Sequence, residues 1–142
     1  MRIQTTLIAI AGFGVASAAN AEGPDFEKEI WPFVKNSCVQ CHQPEHKDER
    51  GRTRRPKGDL VITNKADFLK GGEDGPVIVA GKPEESSFLS RTKLDMSHDD
   101  HMPPEGKADE WTAEQKAAFE AWIKAGADFG KWERDPESDV KG

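Results

Sequence analysis

Three residues within five positions carry the most specific chemistry of this chain: Cys38, Cys41 and His42, in the run Cys38-Val39-Gln40-Cys41-His42. On a helix, positions i and i+3 share a face, so both thiols are able to reach the two vinyl groups on one edge of a haem and form thioethers. His42 follows Cys41 directly, which lets its ring swing beneath the iron as proximal ligand. Cys-x-x-Cys-His is the attachment pattern of c-type haem. Three other readings fit less well. A thioredoxin-like redox pair calls for a preceding βαβ pattern, which is missing here. A structural zinc site needs a fourth ligand at regular spacing, and the chain has only two cysteines. A plain disulfide leaves His42 without a role.

Haem iron takes a sixth ligand unless its site is open, and Met102 is the favoured candidate. A thioether opposite a histidine raises the potential and suits electron transfer. Met102 lies in a polar loop followed by Pro103 and Pro104, an odd place for a core-filling methionine. Pro103 disfavours helical geometry at Met102 and holds it extended. Met96, His98 and His101 stand nearby as rivals.

The elements that must position these groups are mostly helical. Residues 25–42 read as a helix with Phe26, Ile30, Phe33 and Val34 on one face, kinked or restarted at Pro32. Residues 43–59 are polar and basic and read as a solvated loop. A short extended stretch follows at 60–63. Asn64 caps a brief helix that Gly71-Gly72 stops. Val77 to Val79 reads as a buried extended segment. Pro83 opens another short helix that turns Phe88 and Leu89 inward. Residues 92–110 read as loop. Thr112 and Gln115 form a capping box for a last helix with Ala118, Phe119, Trp122 and Ile123 on one face, ended at Gly126. Trp31, Trp111, Trp122 and Trp132 are candidates to pack on the haem, Trp122 foremost.

Composition narrows the function classes. Residues 1–21 read as a secretory signal peptide: Arg2, an apolar run from Leu7 to Ala19, and Ala19-Asn20-Ala21 as a cleavage site after Ala21. The run is too short for a stable membrane anchor. The whole chain of 142 residues has a net charge of −6, from 20 Lys+Arg against 26 Asp+Glu. Removing the leader takes away only Arg2 of these. A soluble, acidic, exported chain points away from nucleic acid and towards basic protein surfaces. The cluster Arg50, Arg52, Arg54, Arg55 has no interleaved aromatics for base stacking. Gly71 to Gly75 lacks the Lys-Ser/Thr ending of a phosphate loop. Asp95, Asp99, Asp100 and Glu105 read as a solvated rim rather than a calcium site. Only 35% of residues are hydrophobic, a thin supply for a core, so a cofactor is expected to fill part of the interior.

Together these segments resemble the planctomycete-type cytochrome c domain, a branch of the small class I cytochromes. The resemblance rests on Ile30-Trp31-Pro32-Phe33, Cys38 to His42, Lys57-Gly58-Asp59-Leu60, Leu69 to Pro76, Gly81 to Ser86, Met102-Pro103-Pro104 and the helix ending at Trp122-Ile123. The stretch from Glu45 to Lys57 is longer than the family's usual connection. The resemblance implies an all-α, class I-like fold, with N- and C-terminal helices packed around one covalent haem c. It also implies that Cys38 and Cys41 attach the haem, and that His42 and Met102 ligate its iron. The expected layout is a signal peptide at 1–21, a cytochrome c domain at 22–130 and a charged, flexible tail at 131–142. The expected activity is periplasmic single-electron transfer between redox partner proteins, not catalysis. Two alternatives are a haem subunit or redox-sensing module of a larger oxidoreductase complex, and a haem peroxidase or gas-binding protein with an open sixth site.

Overall fold

Asp25 starts the first helical segment by accepting a hydrogen bond from the Lys28 amide at 2.9 Å, which satisfies one of the free donors of a helix start. The computed structural model describes residues 22–139; the leader expected at 1–21 lies outside them. A π-helical turn, Phe26–Ile30, runs directly into α1, Trp31–Cys38. The change of winding falls where Pro32 has no amide to donate, so the restart expected from the sequence is present. Phe26, Ile30, Val34 and Cys38, four residues apart in turn, form the buried stripe. Helical winding ends at Cys38, earlier than the expected 42. Residues 39–42 continue as a tight turn in which the His42 amide donates to the Cys38 carbonyl at 3.1 Å.

Residues 43–59 are more ordered than the expected loop. β1, His46–Lys47, pairs antiparallel with β2, Thr53–Arg54, with His46 opposite Arg54 and Lys47 opposite Thr53. The hub is Asp48. Its carboxylate accepts from the Arg50 and Arg52 amides at 2.9 and 3.0 Å and from the Arg52 and Arg54 Nε–H groups, each at 2.9 Å. One acid thus ties together a cluster that by charge count alone repels itself. Helices are thus the dominant regular structure, with one small two-stranded sheet beside them.

A 3-10 turn, Lys57–Asp59, leads through buried Leu60 and Ile62 to α2, Lys65–Lys70. Asn64 caps α2 by accepting from the Asp67 amide at 2.8 Å. Gly71 ends it at φ 85° with the Gly75 carbonyl close by; a Cβ there would fall 2.0 Å from that oxygen. A second 3-10 turn, Pro83–Glu85, precedes α3, Ser87–Thr92. α4, Ala113–Lys124, carries the full capping box: the Gln115 amide donates to Thr112 Oγ1 and the Thr112 amide to Gln115 Oε1.

The core is aromatic. Phe26 lies between Phe129, Trp122 and Trp132, with ring centroids 4.4, 4.9 and 4.9 Å away. A second group, Phe68, Phe88, Phe119 and Trp111, continues it at 5.0–5.4 Å per step. Large rings bury much apolar area per residue, so few hydrophobic residues suffice. The first turn and α4 meet through Phe26 and Trp122, and Gly23 permits the approach: a Cβ there would lie 2.5 Å from the Ala125 Cβ.

Of the tail expected to be flexible at 131–142, residues 131–139 are described, and they pack against the rest of the chain. Trp132 is 3% exposed and Asp135 2%. The Asp135 amide donates to the Thr63 carbonyl at 2.8 Å and the Lys65 amide to the Glu133 carbonyl at 2.9 Å. Lys35 on α1 bonds both Asp135 and Glu137, at 2.9 and 2.7 Å. A 3-10 turn, Pro136–Asp139, follows. The charges that suggest solvation are, at Asp135, one half of a clasp.

Candidate functional site

α1 ends at Cys38, and the turn after it carries His42 to the wall of a cavity of about 530 Å³. That volume lies in the range of roughly 300–1,000 Å³ usual for cofactor pockets. Cys38 and His42 form one side, and Gly58 and Leu60 continue it. The Gly72 to Val77 segment, Phe88, Arg91 and Thr92 of α3, and Met102 complete the lining. Of the four expected site residues, the fold thus brings Cys38, His42 and Met102 to one cavity. Cys41 is not in its wall; it sits half-buried on the same turn. Met96, His98 and His101 do not line it either.

His42 is anchored by its backbone. Its carbonyl accepts from the Ile62 amide at 3.0 Å, and the Cys41 carbonyl accepts from the Lys57 amide at 2.9 Å. Burial pushes the imidazole pKa down, and the Arg91 charge adds to this, while the polar backbone at Leu60 and Lys57 opposes it. The neutral ring, the form that binds metals, is favoured. Its Nδ1 is buried without a hydrogen bond of good geometry.

Cys38 and Cys41 are both free thiols. Burial pushes the Cys38 thiol up to about 11; the neighbouring Ser37 hydroxyl opposes that shift, and the Cys41 thiol adds to it. Ser37 is itself fixed. It accepts from the Trp111 indole N–H at 2.6 Å, donates to the Phe33 carbonyl at 2.8 Å, and lies 3.4 Å from the Cys38 sulfur. Trp111 therefore connects the segment after the Met102 loop to the residue beside the first cysteine.

Met102 lies on an irregular loop and is half-buried. Its amide donates to the Arg91 carbonyl of α3 at 3.1 Å, and its peptide bond to Pro103 is cis. None of the four tryptophans lines the cavity. Trp122, the expected haem neighbour, instead donates its indole N–H to the Asp128 carbonyl at 2.7 Å within the aromatic core. The aromatic residue in the wall is Phe88.

Several wall residues escaped the reading of the sequence. Gly72 is needed because a Cβ there would lie 2.5 Å from the Gly58 carbonyl oxygen; that oxygen accepts from the Glu73 amide at 2.8 Å. The paired glycines at 71 and 72 were the available signal. Lys57 and Arg91 bring positive charge to the wall, and Glu73, Asp74 and Glu85 bring negative charge. Among the described residues no cluster of three or more His, Cys, Asp or Glu forms a metal site. A thiol, an imidazole with an unused buried nitrogen and a thioether around one cavity, with Leu60, Val77 and Phe88 in its wall, are a donor set that fits a haem.

No helix among the described residues is long and apolar enough to cross a membrane. No curated protein and no solved structure matches the chain. Residues 38–106 match the family model described as Planctomycete cytochrome C. The matched span begins at the first cysteine and ends just past Pro103-Pro104, so it is narrower than the resemblance drawn from Ile30 to Ile123.

Proposed function

We propose, from the premise that residues 38–106 form a planctomycete cytochrome c domain, that this protein is a single-electron carrier with one covalent haem c. The observation that carries the reading is the convergence of Cys38, His42 and Met102 on one cavity, although Met102 is 60 or more positions away from the others in the chain. Cys38 and Cys41 would hold the haem through thioethers, and His42 and Met102 would ligate its iron. When bound, the haem supplies a one-electron ferric–ferrous couple.

The chain's own residues do the rest. Leu60, Val77 and Phe88 supply the apolar part of the cavity wall, and burial there would tune the potential. Backbone bonds at His42 and Met102 would hold both ligands in place. The N-terminal and C-terminal helical segments pack through Phe26 and Trp122, an arrangement in keeping with a class I-like fold. We place the protein in an exported compartment, periplasmic in a bacterium with two membranes, on the strength of the leader at 1–21. Its partners are redox proteins with basic docking faces, drawn by the net charge of −7 that remains once Arg2 leaves with the leader (19 Lys+Arg against 26 Asp+Glu), and transfer rates fall as ionic strength rises.

Haem staining and a pyridine haemochrome count on the denatured, extracted chain test the proposal. One haem per chain that survives acid–acetone extraction is expected. Colour that is wholly extracted removes the covalent reading. The ferric spectrum then separates a carrier from an enzyme with an open site. A near-infrared charge-transfer band that disappears in Met102→Ala supports the carrier, and a high-spin spectrum unchanged by that substitution overturns it.

A further inference from the structure

His101 stands next to Met102 yet turns away from the cavity. Its side chain is 1% exposed, and Nδ1 lies 2.8 Å from the carbonyl oxygen of Pro103, which is itself buried. A carbonyl only accepts, so Nδ1 carries the proton. This bond spans Met102, joining the residue before it to the residue after it. Nε2 is buried without a partner and lies 3.9 Å from Glu110 Oε1, beyond hydrogen-bond reach. The imidazole therefore makes one side-chain hydrogen bond, and that bond fixes the backbone that carries Met102.

A second tie holds the other side of the residue. The Met102 amide donates to the Arg91 carbonyl at 3.1 Å, and Arg91 and Thr92 on that helix line the cavity. Met102 is thus pinned at its own amide by α3 and at the following carbonyl by His101. Between these two ties Met102 lines the cavity. An apolar residue at 101 would fill the same space without the bond and leave the buried Pro103 carbonyl unsatisfied.

We propose that His101 is a positioning residue for the Met102 thioether, acting through the Pro103 carbonyl. The proposal rests on the reading of Met102 as sixth ligand. One buried hydrogen bond that is present only while the loop is in place shifts the balance between attached and detached Met102 about ten-fold. The apparent affinity of a competing ligand scales with the detached fraction.

The test is a titration of the haem-loaded, ferric full chain with imidazole, followed by loss of the near-infrared charge-transfer band and by the Soret shift. His101→Leu is expected to bind imidazole about ten-fold more tightly than the unmodified protein. His101→Gln, polar and of similar size but with its amide one bond too far out, is expected to do the same. His101→Asn places an amide N–H near the Nδ1 position and is expected to stay within about two-fold of the unmodified protein. In a Met102→Ala background, His101→Leu is expected to leave imidazole affinity unchanged. The proposal is overturned if His101→Leu and His101→Gln match the unmodified protein while Met102→Ala binds more tightly. It is equally overturned if His101→Leu tightens binding as much in the Met102→Ala background, which is the mark of general loosening. If Met102→Ala alone changes nothing, the ligation reading fails and this proposal falls with it.

Discussion

Replacing Asp135 with alanine tests whether the C-terminal segment is held by the clasp to α1. The Asp135 side chain is 3% exposed and accepts from Lys35 Nζ at 2.9 Å and from the Glu137 amide at 3.3 Å. Breaking a fully buried pair costs about 3–5 kcal/mol, whereas an exposed pair contributes about 0–1 kcal/mol. Lys35 is 31% exposed and keeps Glu137 as a partner at 2.7 Å, so its charge is not stranded. The expected cost of Asp135→Ala is therefore about 2 kcal/mol, or roughly 8 °C in Tm for a domain of about this size. The Glu137 bond is the shorter one, but Glu137 is 77% exposed, so Glu137→Ala is expected to cost under about 0.5 kcal/mol. Lys35 has its pKa raised above the ordinary 10.5, first by the Glu137 hydrogen bond and then by Asp135, with burial opposing both. A cation whose folded pKa is raised contributes in full below its unfolded value and loses that contribution as pH climbs through the folded one. The Asp135→Ala cost should thus be constant from neutral pH to near 10.5 and shrink only above it. Urea unfolding of the haem-loaded protein at several pH values measures this. A cost below about 0.5 kcal/mol, or one equal to that of Glu137→Ala, would refute the clasp.

Three further outcomes are expected. Ser37→Ala removes the acceptor of the buried Trp111 indole N–H and should destabilise by about 1–3 kcal/mol in urea unfolding; a neutral result means that bond is replaced by water. Asp48 is held well below its ordinary carboxyl range by the Arg52 amide first, then by the Arg52 and Arg54 side chains and the Arg50 amide. A lowered folded pKa contributes above the unfolded value and is lost as pH falls through the folded one, so hydrogen exchange at the Arg50 and Arg52 amides should stay slow down to strongly acidic pH. Loss of protection near pH 4 would contradict it. Finally, a Cys38→Ala/Cys41→Ala chain without haem must carry an unfilled cavity of about 530 Å³. It is expected to lose cooperative unfolding and native helix content by circular dichroism, and a sharp transition would count against the need for the cofactor.

Local chemistry made part of this molecule legible. The Asn64 cap, the Thr112–Gln115 box and the restart at Pro32 are each decided by neighbours within four residues, and each stands where the sequence puts it. Cys38 and His42 are likewise close in the chain, and Met102 was marked by its two prolines. What stayed hidden depends on which groups the folded chain brings face to face. Arg50 to Arg55 read as a solvated loop because the sequence does not reveal that Asp48 binds Arg52 and Arg54, and Glu45 binds Arg55, around a hairpin. Residues 131–139 read as a frayed tail because Lys35, the partner of Asp135, is 100 positions away. Trp122 reads as a haem neighbour because the helical face fixes which residues point inward, not which neighbour they meet; here Trp122 meets Phe26. His101 stands among the candidate ligands by its place in the sequence, and its bond to Pro103 is invisible without the fold.

The chain has four tryptophans and no tyrosine, and every indole is buried, at 1–6% exposure. Its ultraviolet emission is therefore a gauge built into the interior. Trp31 and Trp132 lie 4.8 Å apart under the C-terminal segment, whereas Trp111 is tied to Ser37 beside the first cysteine. Light from the first pair reports the release of the last residues, and light from Trp111 reports the opening of the wall around Cys38. Single Trp→Phe replacements would separate the two signals and tell which end of the molecule lets go first.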